Sequence, residues 1–284
     1  MGYKLIVTDM DGTLLGNNHK VTDENKTALQ KVIKSGINVT LATGRAFDSA
    51  KCNVDFLKED MPIIACNGSL IREQNGNIIY SNKIDTRTCL NILDVLDKYD
   101  IYYQCNSIDS MLYEKNRRTI LCFTKKIEGR EDRLSVFLGS ETEVIVKDDL
   151  REEIFKKDIL KFVIIEEKNP SILDEIRKEL RKVQGIKITS SWPNNIEVMN
   201  EGVDKGNAVK ILAEKMNIDR EDIIAFGDNY NDIEMIKFAG LGVAMGNAEE
   251  LIKQEADYVT DTNQDSGVAK AIYKFLELKE SLSS

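Results

Sequence analysis

The sequence predicts an α/β fold in which an open parallel sheet forms a core that is divided along the chain by an inserted α+β segment. Three observations predict it. Short apolar runs alternate with helix-period patterns at both ends of the chain, the rhythm of strands joined by crossover helices. That rhythm lapses from about residue 84 to residue 190. Polar residues beside glycines recur at the carboxyl ends of the predicted core strands, the rim at which open parallel sheets bind ligands.

The elements follow in order. Residues 4–8 (KLIVT) read as a buried strand, and Thr22 as the cap of a helix with Ala28, Leu29, Val32 and Ile33 on its apolar face, ended by Gly36. Residues 37–42 (INVTLA) form the next strand, followed by a helix carrying Ala46, Phe47, Ala50, Val54 and Leu57. Residues 62–66 (PIIAC) make a third strand, and Asn75-Gly76 between two apolar stretches predicts a hairpin with a type I′ turn. The middle mixes helices (Leu90, Leu93, Leu96; Ile172, Ile176, Leu180) with strand-like runs, and its aromatic residues Tyr102 and Tyr103, with Trp192 beyond, read as packing. The α/β rhythm resumes with a strand at 196–200, a helix at 205–216, strands at 222–226, 242–245 and 258–260, and a closing helix at 267–278. The expected division is a core of residues 1–83 and 191–284 with an insert of residues 84–190 that covers the site as a lid.

Composition removes several function classes. The 284 residues are 42% hydrophobic and 31% charged, a globular balance, and the net charge of −9 argues against nucleic acid or an anionic membrane as a general partner. No stretch approaches the roughly 18 apolar residues of a membrane helix. The amino terminus is too acidic for a signal peptide and Gly2 lacks the basic patch that supports lipidation, so the protein is expected in the cytoplasm. Five scattered cysteines (Cys52, Cys66, Cys89, Cys105, Cys122) with no CxxC pair read as reduced, mostly buried thiols, and the sequon-like Asn25 and Asn67 carry no meaning there. His19 is the sole histidine, which excludes a multi-histidine metal site.

The chemistry collects in four clusters. Asp9-Met10-Asp11-Gly12-Thr13 ends the first strand: Asp9 is suited to act as an anionic nucleophile, Asp11 as general acid and base, and Gly12 lets backbone amides approach a phosphate. An acidic turn is the plain alternative for any single DxDG. Gly227-Asp228-Asn229-Tyr230-Asn231-Asp232 offers hard oxygen ligands for magnesium, with Asp228 as the second carboxylate ligand and Asn231 and Asp232 supporting it. Thr43 and Lys205 supply a hydroxyl and a cation for phosphoryl oxygens, Lys205 at a helix start where anions are also favoured. Gly44, Arg45 and Asn67 share the same rim, while Gly246-Asn247 and Asp265-Ser266-Gly267 read more simply as loop and capping residues.

In this order the clusters resemble the haloacid dehalogenase-like (HAD) phosphatases, and within them the Cof-like type IIB group. DMDGT at 9–13, ATGR at 42–45, DKG at 204–206 and GDNYND at 227–232 look like the four motifs of that superfamily, and ACNGS at 65–69 is similar to the Cof-like pattern. The resemblance implies a Rossmann-like core with a cap inserted between the second and third motifs. It implies Asp9 as nucleophile, Asp11 as acid and base, Thr43 and Lys205 as phosphoryl binders, and Mg2+ held by Asp9, the Asp11 carbonyl and Asp228, with Asp232 in support. Asp204 departs from the serine frequent before the Lys-Gly pair. The expected activity is magnesium-dependent hydrolysis of a small phosphorylated metabolite through an aspartyl phosphate. A sugar phosphomutase shares every core motif, and a receiver-like signalling domain shares the acidic pair, threonine and lysine without the acid/base partner.

Overall fold

The computed structural model describes residues 2–52, 54, 56–114, 142–191 and 194–276; Cys122 and Trp192 lie outside them. The strands in chain order are Leu5–Thr8 (β1), Asn38–Leu41 (β2), Pro62–Ala65 (β3), Leu70–Glu73 (β4), Ile78–Ser81 (β5), Tyr102–Ser107 (β6), Ser110–Glu114 (β7), Glu143–Lys147 (β8), Ile159–Ile165 (β9), Ile186–Thr189 (β10), Asn195–Asn200 (β11), Ile223–Gly227 (β12), Leu241–Ala244 (β13) and Tyr258–Val259 (β14).

β1 and β12 bury every side chain, as strands covered on both faces must. They lie side by side in a five-stranded sheet of order β14-β13-β12-β1-β2, parallel throughout. The helix Asp23–Lys34 begins at Thr22, whose hydroxyl accepts from the Asn25 N–H, and packs Ala28, Leu29 and Val32 against the sheet. Asn25 itself is fully buried, because its Oδ1 accepts from the Ala269 N–H (2.9 Å) at the start of the helix Gly267–Leu276. No helix among the described residues is long and apolar enough to cross a membrane.

β3 departs from its expected place as a core strand. It touches β2 through the single bridge Ala42–Ile64 and belongs to a three-stranded antiparallel sheet with β4 and β5. The hairpin between β4 and β5 is also not type I′. The Gly76 N–H bonds the Glu73 carbonyl, Gly76 has φ 101° and Asn75 is not in the left-handed region, so a three-residue loop with a glycine bulge replaces the two-residue turn.

The insert forms a six-stranded sheet of order β10-β11-β9-β6-β7-β8, antiparallel except for β7-β8. The helices Thr86–Leu96 and Ser171–Leu180 cover one face, where Tyr103, Cys105, Phe162, Ile164, Ile196 and Val198 pack. Alternation along the strands turns Lys161, Val163, Glu197 and Met199 to the opposite face, toward the rim of the parallel sheet. The strand at 196–200, expected to open the second half of the core, is β11 of this insert sheet, antiparallel to β9 and β10. Its pattern is consistent with this placement: Ile196 and Val198 enter the insert's core while Glu197 and Met199 alternate to the opposite face, which is buried against the rim of the parallel sheet. The chain therefore returns to the parallel sheet after Asn200, beyond the expected boundary at 191.

Replacing Asn25 with alanine strands the Ala269 N–H in the core, and leaving one buried polar group unpaired costs about 1–3 kcal/mol. The expected result is a lower urea midpoint with an unchanged denaturant slope; an unchanged midpoint would show that the bond contributes nothing.

Candidate active site

The first acidic residue lies where β1 ends. The Asp9 N–H bonds the Phe226 carbonyl of the neighbouring strand (3.0 Å), and the Asp9 side chain is buried. Lys205 reaches it from the first residue of the helix Lys205–Met216, with Nζ 2.6 Å from Asp9 Oδ1 and 2.6 Å from Asp232 Oδ1, and is itself fully buried. Asp204 caps that helix by accepting the Asn207 N–H at 2.7 Å. An aspartate at this position thus does the capping work that a serine would do.

Asp232 is committed on both oxygens. Oδ1 accepts from Lys205, and Oδ2 accepts the N–H groups of Asp228 (2.9 Å) and Asn229 (3.0 Å) in a capping box that shapes the turn after β12. Asp228 Oδ1 accepts from the Thr13 hydroxyl at 2.6 Å. Gly12, at φ 84°, lies so close to Asp228 Oδ2 that a Cβ would collide with it, and its carbonyl accepts from Asn247 at 2.8 Å.

Carboxylate oxygens of Asp9, Asp228 and Asp232 lie within 4.8 Å of one another. Burial pushes the Asp9 carboxyl well above its ordinary range; Lys205 pulls it down, and Asp232, Asp228 and Asp11 push it up. Burial, then the charge of Asp232, pushes Asp228 up to about 7 against the Thr13 bond and Lys205. Burial acts to lower the Lys205 ammonium, but Asp232 and Asp9 outweigh it and leave the group above an ordinary lysine. Three buried carboxylates thus face one buried ammonium, and the excess negative charge fits a divalent cation with oxygen preference. Because both oxygens of Asp232 are engaged, Asp9 and Asp228 are the carboxylates that could hold it.

Asp11 is half exposed and held by Arg45 in a bidentate pair, Nε to Oδ2 at 2.7 Å and a terminal nitrogen to Oδ1 at 2.5 Å. The Arg45 N–H in turn bonds the buried Thr43 hydroxyl at 3.1 Å. Asn67 faces away from Asp11 in its bonding. Its Nδ2 donates to Glu197 (2.7 Å) and its Oδ1 accepts from Asn231 (3.1 Å). Gly44 lies against it, with its carbonyl accepting from Lys161 at 2.6 Å. The weaker sequence candidates separate: Asn247 reaches Gly12, whereas Asp265 bonds Thr262 and Ser266 bonds Thr22, away from the carboxylates. Sequence reasoning passed over Lys161 and Glu197, although a charge inside the apolar run ILKFVII was a signal.

Residues 6–272 match the family model described as haloacid dehalogenase-like hydrolase. The chain is 34% identical to the 5-amino-6-(5-phospho-D-ribitylamino)uracil phosphatase YcsE of Bacillus subtilis, over 95% of this chain and 94% of that protein. It is also 34% identical to Phosphatase YwpJ of the same organism, over 94% of this chain and 97% of the relative. Among solved structures, a haloacid dehalogenase-like hydrolase from Bacteroides thetaiotaomicron superposes with a TM-score of 0.80 at 29% identity, covering 96% of this chain and 99% of the other.

The raised carboxyls predict how stability depends on pH. Between the ordinary aspartate value of 3.8 and about 7, the folded protein holds a proton at Asp228 that the unfolded chain has released. The metal-free protein therefore loses stability as pH rises through that window, and Asp9 contributes in the same direction. Magnesium added to chelated protein is expected to raise the melting temperature clearly at pH 8 and little at pH 5, by thermal scanning. An equal shift at both pH values would separate metal binding from these carboxylates.

Proposed function

The chain belongs to the haloacid dehalogenase-like hydrolases, and from that premise we propose that it is a magnesium-dependent phosphatase that cleaves phosphate monoesters of small metabolites through an aspartyl phosphate at Asp9. The observation that carries this reading is the setting of Asp9: a buried carboxylate held against Lys205, beside Asp228, with the half-exposed Asp11 two residues on.

Asp9, Asp228 and the Asp11 carbonyl would hold Mg2+, which would supply charge neutralisation for the phosphoryl oxygens. An oxygen of Asp9 attacks phosphorus in line and displaces the alcohol. Asp11, after leaving Arg45 and taking a proton from solvent, gives that proton to the departing oxygen, and it regains one from the water that hydrolyses the aspartyl phosphate. Lys205 stays charged throughout, because its two carboxylate partners raise it, and stabilises the transferring group. Thr43, Gly44 and Arg45 bind phosphoryl oxygens at the adjoining strand end. Asn67 acts beside them with Asn231 bonded to its Oδ1, and Asp232 holds the Asp228 turn.

The insert, residues 84 to about 200, acts as a cap that selects the leaving group and excludes water. The substrate named for the B. subtilis relative, 5-amino-6-(5-phospho-D-ribitylamino)uracil, is a candidate for this chain too, alongside sugar phosphates.

Phosphate release from a panel containing that compound, sugar phosphates and nucleotides tests the reading. Release is expected with magnesium and is expected to stop with chelator. Asp9→Asn should abolish turnover in a protein that remains folded; near-native turnover by that variant would remove Asp9 from the role of nucleophile. Isomeric phosphates without free phosphate would indicate a mutase instead. Asp11→Asn should lower kcat by about 10²–10⁴-fold, the usual contribution of a positioned acid and base. A loss smaller than tenfold, in the same release assay, would assign that proton transfer to another group.

A further inference from the structure

Two buried charges take no part in the chemistry above. Lys161 of β9 and Glu197 of β11 are 2% and 3% exposed, with Nζ and Oε1 2.8 Å apart. Each also reaches a loop of the core: Lys161 donates to the Gly44 carbonyl at 2.6 Å, and Glu197 Oε2 accepts from Asn67 Nδ2 at 2.7 Å. Asn67 is in the left-handed region (φ 57°, ψ 27°), and its N–H and both side-chain polar atoms are engaged. Its N–H bonds the Thr43 carbonyl (2.9 Å), its Oδ1 accepts from Asn231, and its Nδ2 holds Glu197. Gly44 is pressed against it, since a Cβ there would lie 2.9 Å from Asn67 Oδ1. One continuous network therefore joins the insert sheet to the loops after β2, β3 and β12.

Stability alone is a poor reason for such a pair. Desolvating two charges offsets their attraction, and apolar side chains of similar volume often do as well. An apolar pair cannot orient a particular carbonyl and a particular amide. Glu197 remains ionised even though burial acts to raise it, because Lys161 and the bonds from Lys161, Asn67 and Ser191 hold it below an ordinary glutamate.

We propose that Lys161 and Glu197 are positioning residues of the phosphate site: seated on the rim, the insert sheet uses the Gly44 carbonyl and the Asn67 amide to set the Thr43-Gly44-Arg45 loop for phosphoryl oxygens. The proposal rests on the reading of that loop as a phosphate binder. Both residues act through the loop, so their effect falls on the phosphoryl group common to every substrate and is blind to the leaving group.

The double variant Lys161→Met/Glu197→Gln carries the decision, because it removes both charges together and leaves neither buried alone. In the full chain with magnesium, three quantities are measured: the melting temperature, orthophosphate affinity by calorimetry, and kcat/KM over several leaving groups. The expected variant is folded, binds orthophosphate at least tenfold more weakly, and loses kcat/KM by a similar factor on every substrate, with their ranking intact. Lys161→Arg, which keeps a donor for both partners, should recover most of that loss. Native phosphate affinity and turnover in the double variant would reduce the pair to a structural contact, as would failure of that variant to fold. A reordered ranking with native phosphate affinity would place the pair on the leaving group and overturn the proposal. If the wild type hydrolysed no ester, the phosphatase reading would fall, and the orthophosphate comparison would still decide the role of the pair.

Discussion

The Lys205 ammonium is the interaction on which the rest of the site depends. It is fully buried, and its two carboxylate partners come from stretches 196 and 27 residues away in the chain. Burying three carboxylates at the end of a parallel sheet is costly, and a single lysine offsets part of that cost. The remainder is left as an unbalanced negative field at Asp9 and Asp228. The same imbalance that weakens the metal-free fold is what makes the site receptive to a cation. Asp232 shows how little freedom the arrangement leaves, since one side chain pairs the lysine and also caps the turn that presents Asp228.

Sheet order brings these groups together. β1 and β12 are neighbours, so Asp9 and Asp228 leave adjacent strand ends, and β2 on the other side of β1 delivers Thr43 and Arg45. The antiparallel β3-β4-β5 sheet then carries Asn67 to the same rim through the one bridge to β2. The insert sheet turns one face to this rim, where Lys161 and Glu197 are buried, with the opposite face packed under two helices. A small parallel sheet supplies the reactive groups, and a separate sheet with its own apolar core lies over them.

Much of this was legible in the sequence. Unbroken apolar runs marked the buried parallel strands, and the polar-glycine clusters at their ends marked the rim. Where the reading missed, the reason was local. The IEVMN run is short enough to fit either sheet by hydrophobicity, and only the alternation of Ile196 and Val198 against Glu197 points to an antiparallel strand. Asn75-Gly76 carries the strongest two-residue hairpin signal, yet the register of β4 and β5 accommodates one more loop residue and a bulge.

By itself the sequence determined which segments are buried strands, where helices begin, and which chemical groups stand at the strand ends. Those features follow from side-chain polarity and period along a few consecutive residues. Only the tertiary structure decided that Lys205 sits between Asp9 and Asp232, that Arg45 grips Asp11, and that a buried Lys161–Glu197 pair reaches down to Gly44 and Asn67. Each of those contacts joins residues far apart in the chain. Their meeting depends on strand order and on which face each strand turns to its neighbour, and neither is encoded in the local pattern.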